Sequence, residues 1–147
     1  MDPLPGSVLF ACSENAIRSP LAEALLKAVH GRRIFVQSIG VRAGEPDPFA
    51  VIVADEWGMD LSRHRPRSFD ELEDEYFDLI VSLSPEAHHR AIELTRSWPC
   101  EVEFWNMPDP STTEGSREAV LEAYRQLRGL LEDRIDARFP AERAPSG

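Results

Sequence analysis

A thiol, an arginine and a hydroxyl follow one another as Cys12, Arg18 and Ser19 in the stretch CSENAIRSPLAE, directly after the apolar run SVLFA. A thiolate is a strong nucleophile, and a guanidinium offers a planar fork to two oxygens of a phosphate or a like oxyanion. The Ser19-Pro20 pair predicts a helix start at this point, with serine as the N-cap. Unpaired N–H groups and the positive end of that helix favour an anion, so the backbone of Ser13, Glu14, Asn15, Ala16, Ile17 and Arg18 is the expected cradle. The same surroundings favour thiolate over thiol. Ser19 can donate its hydroxyl to the sulfur and improve it as a leaving group, while Asn15 can hold the loop shape by side-chain hydrogen bonds.

A nucleophile facing a tetrahedral ester needs a group that protonates the departing oxygen. Asp109, in WNMPDPS, is the candidate, because a loop after the fourth predicted strand returns it to the same sheet edge. The same carboxylate could then activate water. No His/Cys/Asp cluster has metal-ligand spacing, and this chemistry needs neither a metal nor another cofactor.

These groups must be positioned by short strands and capped helices. The predicted strands are SVLFA before Cys12, RIFVQS at 33–38, DLIVSLS at 78–84 and VEFW at 102–105, mostly unalternating, as strands covered on both faces are. Between them run helical patterns: Leu21, Leu25, Ala28 and Val29; then Phe49, Val53 and Trp57; then PEAHHRAIELTRSW. Asp47-Pro48 and Ser84-Pro85 repeat the cap-then-proline signature. A long amphipathic helix is expected from Ser116 to about Arg138, with its stripe on Val120, Ala123, Leu127, Leu130, Leu131 and Ile135. Alternating strands and helices imply an α/β fold with a four-stranded parallel sheet and helices on both faces, and ligands bind such sheets at the carboxyl ends of the strands.

The chain of 147 residues suits one domain, expected over residues 1–139 with a flexible tail at 140–147. A formal net charge of -10 argues against nucleic acid and anionic membranes as partners. Cys12 and Cys100 are the only cysteines, and MDPLPGSVLFA has neither a basic n-region nor a long apolar h-region, which leads to the expectation of a cytoplasmic protein with reduced thiols. Cys100 is expected to be a buried, inert thiol. The neighbours His88 and His89 point about 100° apart on a helix and are read as surface residues. The acidic stretch FDELEDEY is read as a solvated helix face, and Phe49, Trp57, Trp98 and Trp105 as core.

VLFACSENAIRSPLAEALL, SIGVRAGEPDPFA, MDLSRHRPRSF, FDLIVSLS and WNMPDP together resemble the low-molecular-weight protein tyrosine phosphatases and the related thioredoxin-coupled arsenate reductases over nearly the whole chain. The resemblance implies the low-molecular-weight phosphatase fold and a cysteinyl-phosphate intermediate on Cys12. In it Arg18 binds the phosphate, Ser19 assists the sulfur, Asn15 shapes the loop and Asp109 is the general acid. It further implies that Glu23 and His64 support the loop asparagine. The implied substrate is a phosphorylated protein, phosphotyrosine first, or a small phosphate ester.

Three departures bear on that reading. Glu14 stands where the family usually has glycine, which permits positive φ and adds no charge. Ile17 replaces a second loop cysteine, and Ser111 and Thr112 replace the aromatics usual after the DP pair. Ser84 stands where the arsenate reductases carry their second thiol, and Cys100 should lie about 15 Å away at the opposite sheet edge, so a self-contained three-thiol relay is excluded. Two further readings remain open: arsenate reduction with an external thiol, and a non-catalytic phosphate or phosphoprotein-binding module in which Glu14 has disabled the cradle.

Overall fold

The computed structural model describes residues 4–72 and 76–141. Its four strands, β1 (Ser7–Cys12), β2 (Phe35–Gly40), β3 (Leu79–Ser82) and β4 (Glu101–Phe104), form one parallel sheet in the order β2-β1-β3-β4. The two central strands are buried throughout from Val8 to Cys12 and from Leu79 to Ser82, which is why they read as unbroken apolar runs. Along β1 the side chains split by parity. Val8, Phe10 and Cys12 enter one core with α1 (Arg18–His30), α2 (Pro48–Asp55) and α4 (Arg117–Arg138), whereas Leu9 and Ala11 meet α3 (Pro85–Leu94) on the other face.

The cap-and-proline signatures hold at two of three helices. Asp47 accepts from the N–H groups of Phe49 and Ala50, and Ser84 from that of Ala87. Ser19 does not cap α1. The helix begins earlier, with Ile17 at the N-cap, so Ser19 lies inside the first turn and Pro20 is third, where a missing N–H still costs nothing. The serine hydroxyl is thereby released for other work.

Two predicted stripes are out of phase. On α4 the buried set is Leu121, Tyr124, Leu127, Arg128, Leu131 and Ile135, while Leu130 is exposed; on α1 it includes Leu21, Ala22, Leu25 and Leu26, with Val29 exposed. Trp57 is also no core residue. The helix α2 ends at Asp55, and a turn closed by Gly58 at φ 76° carries the indole outside, beneath the Arg128 guanidinium at 3.8 Å. Arg128 also donates to the Val53 carbonyl and to Glu56, which Arg125 grips from the other side. Phe49 and Trp98 are half-buried, and Trp105 is buried as expected.

The described part of the acidic stretch differs from the expected helix face. Phe69–Glu71 form a 3-10 turn that buries Phe69 against the sheet, and residues 73–75 lie outside the described residues, as do 142–147 of the expected tail. Among the described residues no helix is long and apolar enough to cross a membrane.

Candidate active site

After β1 the chain runs to β2 on one side and returns to β3 on the other, so the carboxyl end of β1 lies at the topological switch point of the sheet. Cys12 occupies that end. Its Sγ is nearly buried, 2.9 Å from Ser19 Oγ and 3.3 Å from the Asn15 N–H that donates to it. Asn15 Nδ2 donates to the Ser19 hydroxyl, which leaves the hydroxyl proton for Sγ or for the Ile39 carbonyl at 3.3 Å. A rotation of one O–H therefore serves either charge state of the sulfur.

The loop is turned inside out relative to a helix. The carbonyls of Cys12, Ser13 and Glu14 accept from the N–H groups of Val41, Arg42 and Gly44, and that of Asn15 accepts from His64 Nε2 at 2.8 Å. With its carbonyls engaged outside, the loop aims N–H groups inward, as the Asn15 N–H on Sγ shows. The close approach requires Gly40: a Cβ there would stand 2.7 Å from Asn15 N and 2.8 Å from Glu14 C.

Asn15 is the hinge of this arrangement. It is fully buried at φ 56°, its Nδ2 donates to Ser19 and to Ser38 Oγ at 3.0 Å, and its Oδ1 accepts from the Arg67 N–H at 3.0 Å. Ser38 passes the contact on to Glu23 Oε1 at 2.5 Å, and Lys27 pairs with the other carboxylate oxygen. Glu23 thus reaches the loop asparagine through Ser38 and not directly. Ser38 opens the motif SIGVRAGEPDPFA, and a buried hydroxyl on β2 was the signal for its role.

Glu14 does not take the positive φ expected of a glycine position; among the described residues Asn15 is the non-glycine residue that does. The Glu14 backbone is unstrained and its side chain passes over Gly44, where a Cβ would lie 2.8 Å from that of Glu14. Its carboxylate faces Arg42 at 3.7 Å, and Arg42 in turn makes two hydrogen bonds to Glu86, at 3.0 and 2.9 Å. Arg42 and Glu86 belong to the site, and the motif reading missed both.

Cys12, Ser13, Glu14, Ala16, Ile17, Arg18, Arg42 and Asp109 line one cavity of about 290 Å³. Arg18 Nη1 donates to the Met107 carbonyl at 3.2 Å, which ties the cradle to the loop that carries Asp109. Asp109 caps a 3-10 turn over Pro110–Thr112, its Oδ1 accepting from the Ser111 N–H at 3.0 Å and from the Ser111 hydroxyl at 2.6 Å. Oδ1 is thus fixed, and rotation of the carboxylate is restricted. A larger depression of about 490 Å³ along 27–33 offers no thiol, hydroxyl or carboxylate, so chemistry and not size marks the site.

The remaining candidates fall outside it. Cys100 precedes β4, whose first residue pairs with Leu79, at the opposite edge of the sheet, half-buried, and burial pushes its thiol pKa up. His89 is exposed, but His88 is half-buried, stacked on Phe104 with its Nδ1 2.8 Å from Ser82 Oγ. No group of three or more metal-binding side chains exists among the described residues.

The family model described as low molecular weight phosphotyrosine protein phosphatase matches residues 7–142. A glutaredoxin arsenate reductase of Synechocystis sp. is 26% identical over 131 residues, 88% of this chain and 92% of that protein. A probable low molecular weight protein-tyrosine-phosphatase, EpsP of Ralstonia solanacearum, is 29% identical over 94% of this chain and 97% of its own length. The solved tyrosine phosphatase amsI of Erwinia amylovora superposes with a TM-score of 0.71 at 26% identity over 88% of each chain. With its parallel four-stranded sheet and the Cys12 loop at the end of β1, the chain belongs to the low molecular weight phosphotyrosine protein phosphatase family.

Proposed function

We propose that the protein is a phosphomonoester hydrolase, with protein phosphotyrosine as the substrate class, working in the reducing cytoplasm through a cysteinyl-phosphate intermediate. The observation that carries this reading is the single cavity that brings Cys12, Arg18 and Asp109 together. The phosphoryl group sits in the N–H cradle with two oxygens on the Arg18 guanidinium. Cys12 Sγ attacks phosphorus, the ester P–O bond breaks, and Asp109 gives its proton to the departing oxygen. Ser19 donates to the sulfur as it leaves in the second step, while the Asp109 carboxylate takes a proton from the attacking water and phosphate is released. Asn15, with Ser38, Glu23 and His64 behind it, holds the loop in the shape that makes this possible.

A second reading, arsenate reduction, is favoured by the relatives named as arsenate reductases. The same cradle fits arsenate, and attack by Cys12 would form a sulfur–arsenic bond. Reduction of As(V) to As(III) takes two electrons, and these must come from Cys12 and a second thiol. Cys100 stands five β1 residues away from the catalytic end, about 17 Å, so the second thiol would be external: glutathione, mycothiol or thioredoxin.

One comparison tests both. Wild type is expected to release p-nitrophenol from p-nitrophenyl phosphate, Cys12→Ser to be inert, and Asp109→Ala to lose about 10²- to 10⁴-fold in kcat. Activity that survives Cys12→Ser overturns the mechanism. Arsenite produced only when an external thiol is added, by an enzyme inert toward phosphate esters, assigns the reductase. A protein inert in both assays that still binds phosphate is a binding module.

A further inference from the structure

Three charged groups that the hydrolytic steps leave unused lie at the cavity: Glu14 and Arg42 line it, and Glu86 is bonded to Arg42 beside it. Arg42 lines the cavity, and its backbone N–H donates to the Ser13 carbonyl at 3.0 Å, so the residue is fixed to the phosphate loop itself. Its guanidinium takes both oxygens of Glu86, which stands in the first turn of α3, and faces Glu14 at 3.7 Å. The hydrogen bonds between them hold the Glu86 carboxyl below the usual carboxylate range and raise the Arg42 guanidinium further. The rim sets one guanidinium against two carboxylates. Arg18 does not offset the excess in the working enzyme, since the phosphoryl oxygens take its charge.

The ion pairs are about half exposed, and such pairs add little to stability. The geometry of the mouth therefore has its main consequence for whatever passes it. Asp109 lines the same cavity as Glu14 and Arg42, so in the hydrolase reading the leaving group that it protonates lies near this rim. Asp109 is protonated when it acts as an acid, which leaves the rim at a net single negative charge.

We infer that Glu14, Arg42 and Glu86 are specificity-determining residues that select phosphate esters whose leaving group carries a cation, such as a phosphotyrosyl segment flanked by lysine or arginine, over those flanked by carboxylates. The inference rests on the hydrolase reading. In it Arg42 is a counterion that moderates two carboxylates, not a further ligand of the phosphate.

The signs of three substitutions follow. A unit charge about 7 Å from another across water shifts an equilibrium about 2.7-fold, so exchanging a lysine for a glutamate beside the phosphotyrosine, a change of two charges, alters kcat/KM about sevenfold. Arg42→Gln exposes both carboxylates and widens that ratio. Glu86→Gln and Glu14→Gln each narrow it toward one. The discrimination shrinks in 0.5 M salt, where the Debye length falls to about 4 Å.

The test uses two phosphotyrosyl peptides that differ only in flanking lysines or glutamates, with p-nitrophenyl phosphate, whose leaving group carries no flanking charge, as the reference. It measures kcat/KM for the wild type and the three variants, and the affinity of each peptide for Cys12→Ser by calorimetry. A preference for the basic peptide, widened by Arg42→Gln and narrowed by Glu86→Gln, supports the inference. Equal kcat/KM for the two peptides overturns it and leaves the hydrolase reading standing. A fall in both peptides' kcat/KM on Arg42→Gln with the ratio unchanged overturns it too, since Arg42 would then touch the phosphate. If nothing is hydrolysed, the hydrolase reading falls and the inference falls with it, whichever peptide Cys12→Ser binds more tightly.

Discussion

Asn15 carries more of the candidate site than any other residue outside the reacting groups, and its replacement can be worked through from the structure. Asn15→Ala removes three hydrogen bonds inside a fully buried site: Nδ2 to Ser19, Nδ2 to Ser38, and the Arg67 N–H to Oδ1. At about 1 kcal/mol net for each, these account for about 3 kcal/mol. The backbone adds a separate cost. At φ 56° an alanine pays about 1–2 kcal/mol that asparagine largely escapes, for a total near 4 kcal/mol. At about 3 °C per kcal/mol for a chain of this size, the melting temperature should fall by about 12 °C. Asn15→Gly separates the two costs. It loses the same three bonds without the steric penalty, offset in part by about 0.5–1 kcal/mol of unfolded-state entropy, so it should be about 0.5–1 kcal/mol more stable than Asn15→Ala. Urea denaturation of the three proteins, in phosphate-free buffer at neutral pH, measures both differences. An Asn15→Ala protein within 1 kcal/mol of wild type, or an Asn15→Gly protein no more stable than Asn15→Ala, would refute the picture of a loop held open by this side chain and its left-handed backbone.

Two other outcomes follow from contacts away from the sulfur. Gly40→Ala places a methyl 2.6 Å from the Arg42 carbonyl and 2.7 Å from Asn15 N, all backbone, so the loop must shift; stability should drop by about 1–3 kcal/mol and phosphate affinity with it, read by thermal melts with and without phosphate, and an unchanged affinity would show that the contact is not needed. Glu56, hydrogen-bonded by Arg125 and Arg128, has its carboxyl pKa lowered to about 2, below the unfolded value near 4.5, so its contribution is complete above that value and is lost as the pH falls through about 2. The melting-temperature gap between wild type and Glu56→Gln should therefore be constant above pH 5 and close between pH 4 and 2, and a gap that persists at pH 2 would count against the pairing.

Much of the fold could be read directly from the chain, for local reasons. Val8–Cys12 and Leu79–Ser82 are buried on both faces, and an apolar run bounded by turns carries that fact in its composition. Asp47-Pro48 and Ser84-Pro85 cap helices as written, because a capping oxygen and a fixed φ act within three residues. Ser19-Pro20 looked the same and is not a cap, since proline is tolerated anywhere in the first turn and the loop claims the hydroxyl. The phase of α4 was misread because Leu130 and Leu131 fit two overlapping stripes, and packing against the sheet and α2 decided between them.

The same division runs through the site. Cys12, Arg18 and Ser19 share one loop and helix turn, so their spacing alone determined that a thiol, a guanidinium and a hydroxyl would be gathered at a helix start. The contacts among Asn15, Ser38 and Glu23, the Gly40 and Gly44 approaches, and the rim of Glu14, Arg42 and Glu86 join residues up to 44 positions apart and depend on which strands are neighbours. Chain order does not specify those distances. Only the sheet, by setting β2 and β3 on either side of β1, decided which side chains would surround the thiol.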